Sequence, residues 1–175
     1  MKRILLSIVF FLSGILLFAQ QDSTGQAQLF DFWLGNWDAT WDEADGKKGK
    51  GTNLIEKILD GKVLQENFMV LKGQSQGFKG VSISVFNPQS QEWKQSWADN
   101  QGGYYAFRGR AEGEKRIFQT DVVRLNDGRQ FTQRMVFKDI TPQSMTWDWE
   151  SSGDGGKSWT LNWRIFYTKK TEAKE

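Results

Sequence analysis

The sequence predicts an all-β fold, an up-and-down antiparallel barrel of about ten strands with a short N-terminal helical turn. Large apolar and polar side chains alternate with a period of two along most of the chain after residue 30. Turn signals such as Asp60-Gly61 and Asn126-Asp127-Gly128 separate the alternating segments at hairpin distance. A meander of this many twisted strands is expected to close, because an open sheet leaves two unpaired edges.

The first twenty residues differ in composition from all that follows. Lys2 and Arg3 precede the almost uninterrupted apolar run Ile4–Phe18, and the small residue Ala19 comes next. This order is typical of a secretory signal peptide, and the run is short for a membrane span. We expect cleavage near Ala19 or Gln20 and export to the bacterial periplasm or the medium, with an uncleaved membrane anchor as the alternative.

The chain therefore divides into four parts. Residues 1–20 are the predicted signal peptide, and residues 21–29 are polar and aperiodic, which predicts a flexible lead-in. Residues 30–168 carry the alternating pattern and are predicted to form one barrel domain, a size that a single core can fill. The charged residues 169–175 are predicted to be a disordered tail.

Charge and missing residue types exclude several function classes. Loss of the two leader bases from the 23 in the sequence leaves 21, which equals the 21 acids. A formally neutral chain gives no support to a nucleic-acid partner or to an anionic membrane surface. The sequence has no His and no Cys, so the usual zinc and haem ligands and the His-dependent nucleophile systems are missing. We predict neither a metal site nor a cofactor, since a haem would have only Tyr or Met as protein ligands.

The first predicted strand follows a compact apolar turn, Phe30–Leu34, and opens with Gly35-Asn36-Trp37. Gly-x-Trp after a helical turn resembles the calycin superfamily of lipocalins and fatty-acid-binding proteins. The resemblance implies that Trp37 seals one end of the barrel and that a basic side chain from the last strand, Arg164, lies across it. A guanidinium over an indole is a stabilising cation–π contact, so the implied role of Gly35, Trp37 and Arg164 is structural.

A narrower resemblance covers most of the chain from residue 30 to residue 167. The pattern Phe-x-Phe-Trp-Leu-Gly-x-Trp, the hairpin at Asp60-Gly61 and the late Trp-rich strands are similar to a bacterial secreted family of unknown function with the same predicted barrel. That resemblance implies no catalytic residues.

The hairpin at Asp60-Gly61 is predicted to carry a carboxylate on its mostly apolar face. The turn at Asp60-Gly61 sets a register that places Ile55 opposite Glu66 and Lys57 opposite Leu64. Glu66 then lies on a mostly apolar face, where a carboxylate needs a partner or a raised pKa. The structural interpretation is an ion pair with Lys57 or a hydrogen bond near the rim, and the functional one is a ligand contact.

The segment from Ser152 to Trp159 reads Ser-Gly-Asp-Gly-Gly-Lys-Ser-Trp and resembles the Asp box of sialidases and other propellers. Asp154 is expected to cap the amides of a turn whose glycines take positive φ. A propeller repeats the motif in each blade, whereas this chain has one copy. The motif therefore predicts a well-formed turn in a barrel.

The interior is the best candidate for function. Nine Trp in 175 residues supply aromatic bulk that can line a pocket for a small hydrophobic or amphipathic molecule. The predicted lining is Trp97, Phe107, Gln133, Trp149 and Trp163, with Glu66 as a polar contact. Two alternatives stay open: a barrel filled completely by side chains, and a carbohydrate-binding module that uses exposed Trp.

An enzyme is not favoured by the carboxylate pattern. Asp148 and Glu150 share one face of a strand. Glycoside hydrolases use a pair of carboxylic acids as general acid and base. The two acids of this chain lie opposite Trp147 and Trp149 in the alternation, so they are expected on the solvated outside of the barrel. No catalytic residue is predicted.

Overall fold

The computed structural model describes residues 25–44 and 46–171. The predicted signal peptide over residues 1–20 lies outside the described residues, as do residues 21–24 of the lead-in, Asp45, and residues 172–175 of the tail.

The described residues form eleven strands, of which ten make a closed antiparallel barrel, and this confirms the predicted all-β fold. The strands are β1 (Gly35–Asp42), β2 (Lys48–Ile58), β3 (Val63–Lys72), β4 (Lys79–Asn87), β5 (Glu92–Asp99), β6 (Tyr104–Glu112), β7 (Lys115–Thr120), β8 (Val123–Arg124), β9 (Gln130–Lys138), β10 (Ser144–Ser152) and β11 (Thr160–Lys169). Each barrel strand pairs with the next along the chain, β7 pairs with β9, and β11 closes the cylinder against β1. The two-residue strand β8 lies outside and pairs with β9.

The β2–β3 hairpin has the predicted register. Ile55 pairs with Glu66, and Lys57 pairs with Leu64. Asp60 and Gly61 take φ values of 56° and 76°, the left-handed region that a primed two-residue turn requires of both residues. The register is what places the Glu66 side chain on the inner face of the barrel.

One strand reverses the usual relation between polarity and facing. On β4 the apolar residues Val81, Ile83 and Val85 point outward and are 48%, 40% and 38% exposed, whereas Ser82 and Ser84 are buried inside. Pairing fixes this facing, because Ser82 lies opposite Glu66 on β3. The inner wall of the barrel is therefore polar along this strand.

A helical segment over residues 25–33, ending in the 3-10 turn Asp31–Trp33, plugs one end of the barrel. Phe30 is fully buried, and its ring stacks on Phe118 at 4.1 Å between centroids. The indole of Trp93 donates a hydrogen bond to the Gln26 carbonyl at 2.7 Å. This hydrogen bond ties Gln26 to the barrel wall, where residues 25–27 are helical and residues 28–30 form a turn.

Trp37 lies at the plugged end as expected, but its cationic neighbour is a different residue. The indole of Trp37 donates to the Trp33 carbonyl at 2.8 Å, and the ammonium of Lys169 lies 5.3 Å from its ring centroid. The assignment of Arg164 to this contact is wrong, because Arg164 is on the outer face of β11 and binds Asp148 there. Trp37 pairs with Lys169 in the β1–β11 ladder, so these two side chains share the inner face.

The contact between Lys169 and Trp37 requires glycine at position 35. Its φ is 126°, and a Cβ there would lie 2.6 Å from the Cε atom of Lys169. The position therefore demands both a backbone conformation that favours glycine and the space that glycine leaves.

The turn between β10 and β11 has the hydrogen bonds expected of its motif. Asp154 Oδ1 accepts from the amides of Lys157 and Ser158 at 3.0 Å each, and Asp154 Oδ2 accepts from the Ser158 hydroxyl at 2.6 Å. These bonds, with those from Ser152, lower the pKa of Asp154. The aspartate is thus occupied by its own turn.

Candidate ligand-binding cavity

A cavity of about 270 Å³ occupies the barrel interior beyond the plug. The plug fills one end with aromatic rings, whereas the inward side chains of the opposite half leave space between them. Aromatic residues form most of the wall: Phe68, Phe78, Trp97, Tyr105, Phe107, Trp147, Trp149, Trp163 and Tyr167. The barrel is therefore neither a hollow container nor completely filled by side chains.

The rings support one another in a fixed arrangement. Trp147 and Trp149, on the same face of β10, are parallel to within 5° with centroids 6.3 Å apart. Trp163 presents an edge-to-face contact to Trp147 at 5.8 Å, and Tyr105 does the same to Trp149 at 5.6 Å. Such contacts stabilise aromatic pairs beyond the burial of their area, so the wall is preorganised.

A polar network closes one side of the cavity around Glu66. Its Oε1 accepts from the Asn53 amide at 2.7 Å, and its Oε2 accepts from the Ser82 hydroxyl at 2.6 Å. Asn53 also donates to the Tyr167 hydroxyl at 3.3 Å, and Gln95 donates to Ser82 at 3.1 Å. The carboxylate, which lines the cavity, is held by neutral side chains, and no cation within the part of the chain that the structure describes pairs with it.

Burial without a counter-charge makes Glu66 titrate near neutrality. Desolvation raises its pKa from the ordinary 4.5 to about 7, although the hydrogen bonds from Ser82 and Asn53 oppose the shift. Burial, together with the nearby Glu66 charge, also raises the pKa of the Tyr167 hydroxyl, which therefore stays protonated. Lys57, considered as a partner for Glu66, instead pairs with Asp31 of the plug at 2.7 Å.

A second carboxylate, Asp99, stands in the wall toward the open end. Its Oδ1 accepts from the amides of Gln101 and Gly103 at 2.9 Å each, and its Oδ2 accepts from the Trp97 indole at 3.2 Å. Desolvation favours a higher pKa, but these hydrogen bonds outweigh it and lower the pKa of Asp99 below its ordinary value. Asp99 therefore stays ionised at neutral pH and orients one ring of the wall.

An outer cavity of about 340 Å³ adjoins the first and forms its mouth. The two cavities share Phe78, Gln101 and Trp163 in their walls. Asp42 and Glu43 line the mouth. Among the described residues, the walls of both cavities contain four carboxylates and no Lys or Arg. The passage formed by the mouth and the inner cavity therefore has a negative electrostatic potential.

Five of the six residues predicted to bind ligand line the inner cavity. Trp97, Phe107, Trp149, Trp163 and Glu66 are brought together there. Gln133 is not in the wall, because Met135 takes the position beside Trp149 and Gln133 pairs with Ser151, one inward position farther from the plug.

Sequence reasoning placed Gln95 on the inner face but missed Asn53, Ser82 and Ser84 as polar groups around the carboxylate. Asn53, Ser82, Ser84 and Gln95 are all buried on the inner face. Their signal was available in the register, since Asn53, Glu66, Ser82 and Gln95 occupy inward positions of four consecutive strands.

The paired acids Asp148 and Glu150 are outside the cavity wall, but Asp148 is not solvated as expected. It is 1% exposed, and its two oxygens bind Arg164 at 2.6 and 2.7 Å and Lys138 at 2.7 Å. Desolvation favours a higher pKa, but these two cations outweigh it and lower the pKa of Asp148. Glu150 binds Arg134 at 2.6 Å. Both acids are thus engaged in ion pairs on the outer face.

Tryptophan exposure bears on the carbohydrate alternative. All nine Trp lie within the described residues, and each is buried or half-buried. Trp159, on the turn after β10, is covered by the guanidinium of Arg134, which lies 3.8 Å from its ring centroid. An exposed row of indoles, which stacking on sugars from solvent requires, is not found among them.

Other site types and other proteins give no further assignment. Across residues 25–44 and 46–171, no cluster of three or more acids could hold a metal ion. Within the same ranges, no helix has both the length and the apolar character needed to cross a bilayer. A scan against protein-family models and a search of curated proteins each gave no match.

Proposed function

We propose that this protein is a binding barrel for a small hydrophobic or amphipathic molecule. The observation that carries the proposal is the cavity of about 270 Å³, which has an aromatic wall and one buried carboxyl group. Binding sites for small molecules are typically apolar clefts in which a few placed polar groups fix the orientation of the ligand. The wall of rings supplies the apolar surface, and Glu66 and Tyr167 supply the polar groups.

The size of the cavity favours a compact ligand. Pockets for small molecules commonly hold about 300–1,000 Å³, so the inner cavity with its mouth suits one fused ring system. Burial of about 250 Å² of apolar ligand surface contributes roughly 6 kcal/mol, from which the cost of association is subtracted. A Kd of about 1 μM requires about 8 kcal/mol, so the hydrophobic contribution alone gives binding weaker than micromolar, and polar contacts with Glu66 and Tyr167 must add to it.

The fold and the leader support two further parts of the proposal, membership of the calycin superfamily and export. A closed ten-stranded antiparallel barrel is compatible with a calycin-like fold, and the Gly-x-Trp motif supports membership of that superfamily. The apolar leader supports export to the periplasm or the medium, where a binding barrel would meet ligands that enter from outside the cell.

The test uses N-phenyl-1-naphthylamine, a neutral dye that fluoresces in apolar surroundings. The purified protein is expected to enhance its fluorescence, and the enhancement should saturate as the dye concentration rises. Ile165→Phe, which adds a ring to the cavity wall, should abolish the enhancement. Leu161→Phe, on the same strand but 45% exposed, is the matched control and should bind as the wild type does.

Circular dichroism of each variant establishes that the barrel is folded. No enhancement by the wild type would refute the proposal, as would equal binding by the folded Ile165→Phe protein.

A further inference from the structure

We infer that the cavity selects a positively charged ligand, a protonated alkylamine or quaternary ammonium group that carries an aromatic ring system, in preference to a carboxylic acid. This inference rests on the proposed function, since it names the class of molecule that the same cavity takes. It is drawn from the charge of the wall, the orientation of its rings and the unused hydrogen-bonding capacity of Glu66.

The wall is negatively charged from the mouth to the inner end. Glu66 and Asp99 line the inner cavity, and Asp42 and Glu43 line its mouth. Of these, Asp42 has a counter-ion, Lys48, while Glu43 accepts the Gln74 amide at 2.8 Å. Glu66 and Asp99 are held by neutral donors. A ligand cation would supply the charge that the wall lacks, whereas a carboxylate ligand would meet repulsion throughout.

The rings suit a cation as well as an apolar body. The face of an indole is the negative part of its quadrupole, and cations bind it most strongly where water is excluded. Trp147 and Trp149 lie parallel, Trp163 stands at 88° to Trp147, and Tyr105 stands at 76° to Trp149. All four rings line the cavity, and aromatic side chains that line a site are the groups with which proteins recognise ammonium ligands.

Glu66 has free capacity toward the cavity. Each carboxylate oxygen carries two lone pairs, and Asn53 and Ser82 use one on each oxygen. A ligand N–H can therefore bind the carboxylate without breaking the network. The groups that face Glu66 from the neighbouring strands are Asn53, Ser82 and the Tyr167 hydroxyl, none of which is a cation. Its pKa of about 7 would fall when a ligand cation supplies the missing counter-charge.

The experiment compares three ligands with one ring system and three charges by isothermal titration calorimetry at about pH 8. The probes are 1-naphthylmethylamine, 1-naphthalenemethanol and 1-naphthoate. The amine is expected to bind at least about tenfold more tightly than the alcohol, and the alcohol at least about tenfold more tightly than the acid.

Two variants separate the charge of Glu66 from general effects. Glu66→Gln should lose most of the preference for the amine and keep the affinity for the alcohol. Glu56→Gln removes the same charge from the exposed outer face of the neighbouring strand and should leave all three affinities unchanged.

The possible failures are distinct. If the alcohol or the acid binds as tightly as the amine, or if Glu66→Gln keeps the full preference, the inference is overturned. The proposed binding of small hydrophobic molecules would still stand. If none of the three compounds binds the folded wild type, the proposed function itself fails.

Discussion

Replacement of Glu66 by Gln should change how the stability of the barrel depends on pH. The folded state holds the pKa of Glu66 at about 7, whereas the ordinary value is 4.5. An acid whose pKa is raised by folding favours the native state when it is protonated. Its stabilising effect is complete below the unfolded value, declines as pH rises from 4.5, and is lost once pH passes the folded value of about 7.

The magnitude follows from the shift. At 1.36 kcal/mol per pKa unit, the full effect is about 3 kcal/mol, of which about 2.5 kcal/mol falls between about pH 5 and about pH 8. An amide at position 66 cannot ionise, yet its carbonyl can still accept from Asn53 and its NH₂ group can donate to Ser82. Wild type should therefore lose about 2.5 kcal/mol relative to Glu66→Gln across that interval.

Urea denaturation at several pH values measures this difference. Because other carboxylates titrate equally in both proteins, the wild-type minus variant difference isolates position 66. Glu56→Gln, on the exposed outer face, is the matched control and should show a difference that does not vary with pH. A Glu66→Gln difference that stays constant within about 0.5 kcal/mol from about pH 5 to about pH 8 would refute the assigned environment of this carboxyl group.

Four further outcomes follow. Phe30→Ala, at a side chain with no exposed surface, should cost about 3–5 kcal/mol in urea denaturation; a cost below about 1 kcal/mol would show that the plug does not support the core. Asp148→Ala leaves two facing cations and should cost about 2 kcal/mol, below the fully buried case because both partners are partly hydrated. Gly35→Ala, with φ of 126° and a Cβ that would strike Lys169, should cost about 1–3 kcal/mol. The affinity for 1-naphthylmethylamine should fall up to about tenfold per pH unit below about pH 7 as Glu66 takes up a proton; an affinity independent of pH in calorimetry would contradict this.

The period of the side chains was enough to predict the barrel. Strands that bury one face must alternate, and Trp97, Phe107, Trp149 and Trp163 fall on the buried parity of their strands, so they meet in one wall. The hairpin at Asp60-Gly61 added a register, and with it the inward position of Glu66.

The alternation of side chains does not show how far along the barrel axis a residue lies. Nor does it show which residue of the neighbouring strand pairs with it. Gln133 has inward parity but lies beyond the cavity wall. Parity alone opposes the Arg164 assignment, because Arg164 follows the inward Trp163 on the last strand. Which inward residue of that strand meets Trp37 is shown only by the register with β1, which pairs Trp37 with Lys169.

Hydrophobicity alone also misjudges β4. Its apolar side chains face solvent, because the serines at 82 and 84 bond to the inward polar groups of the adjacent strands. A polar interior is visible only when neighbouring strands are aligned with one another.

The plug affects the rates of ligand binding and release, because it leaves one end of the barrel for both. With residues 25–33 filling one end, a molecule that arrives past the β1–β2 and β3–β4 loops at the mouth leaves by the same route. A change in those loops that narrows the passage should slow association and dissociation by the same factor and leave the equilibrium constant as it was, whereas a change in the inner wall should act chiefly on the residence time. Stopped-flow traces of dye uptake and release would separate the effect of the mouth loops from the effect of the inner cavity wall.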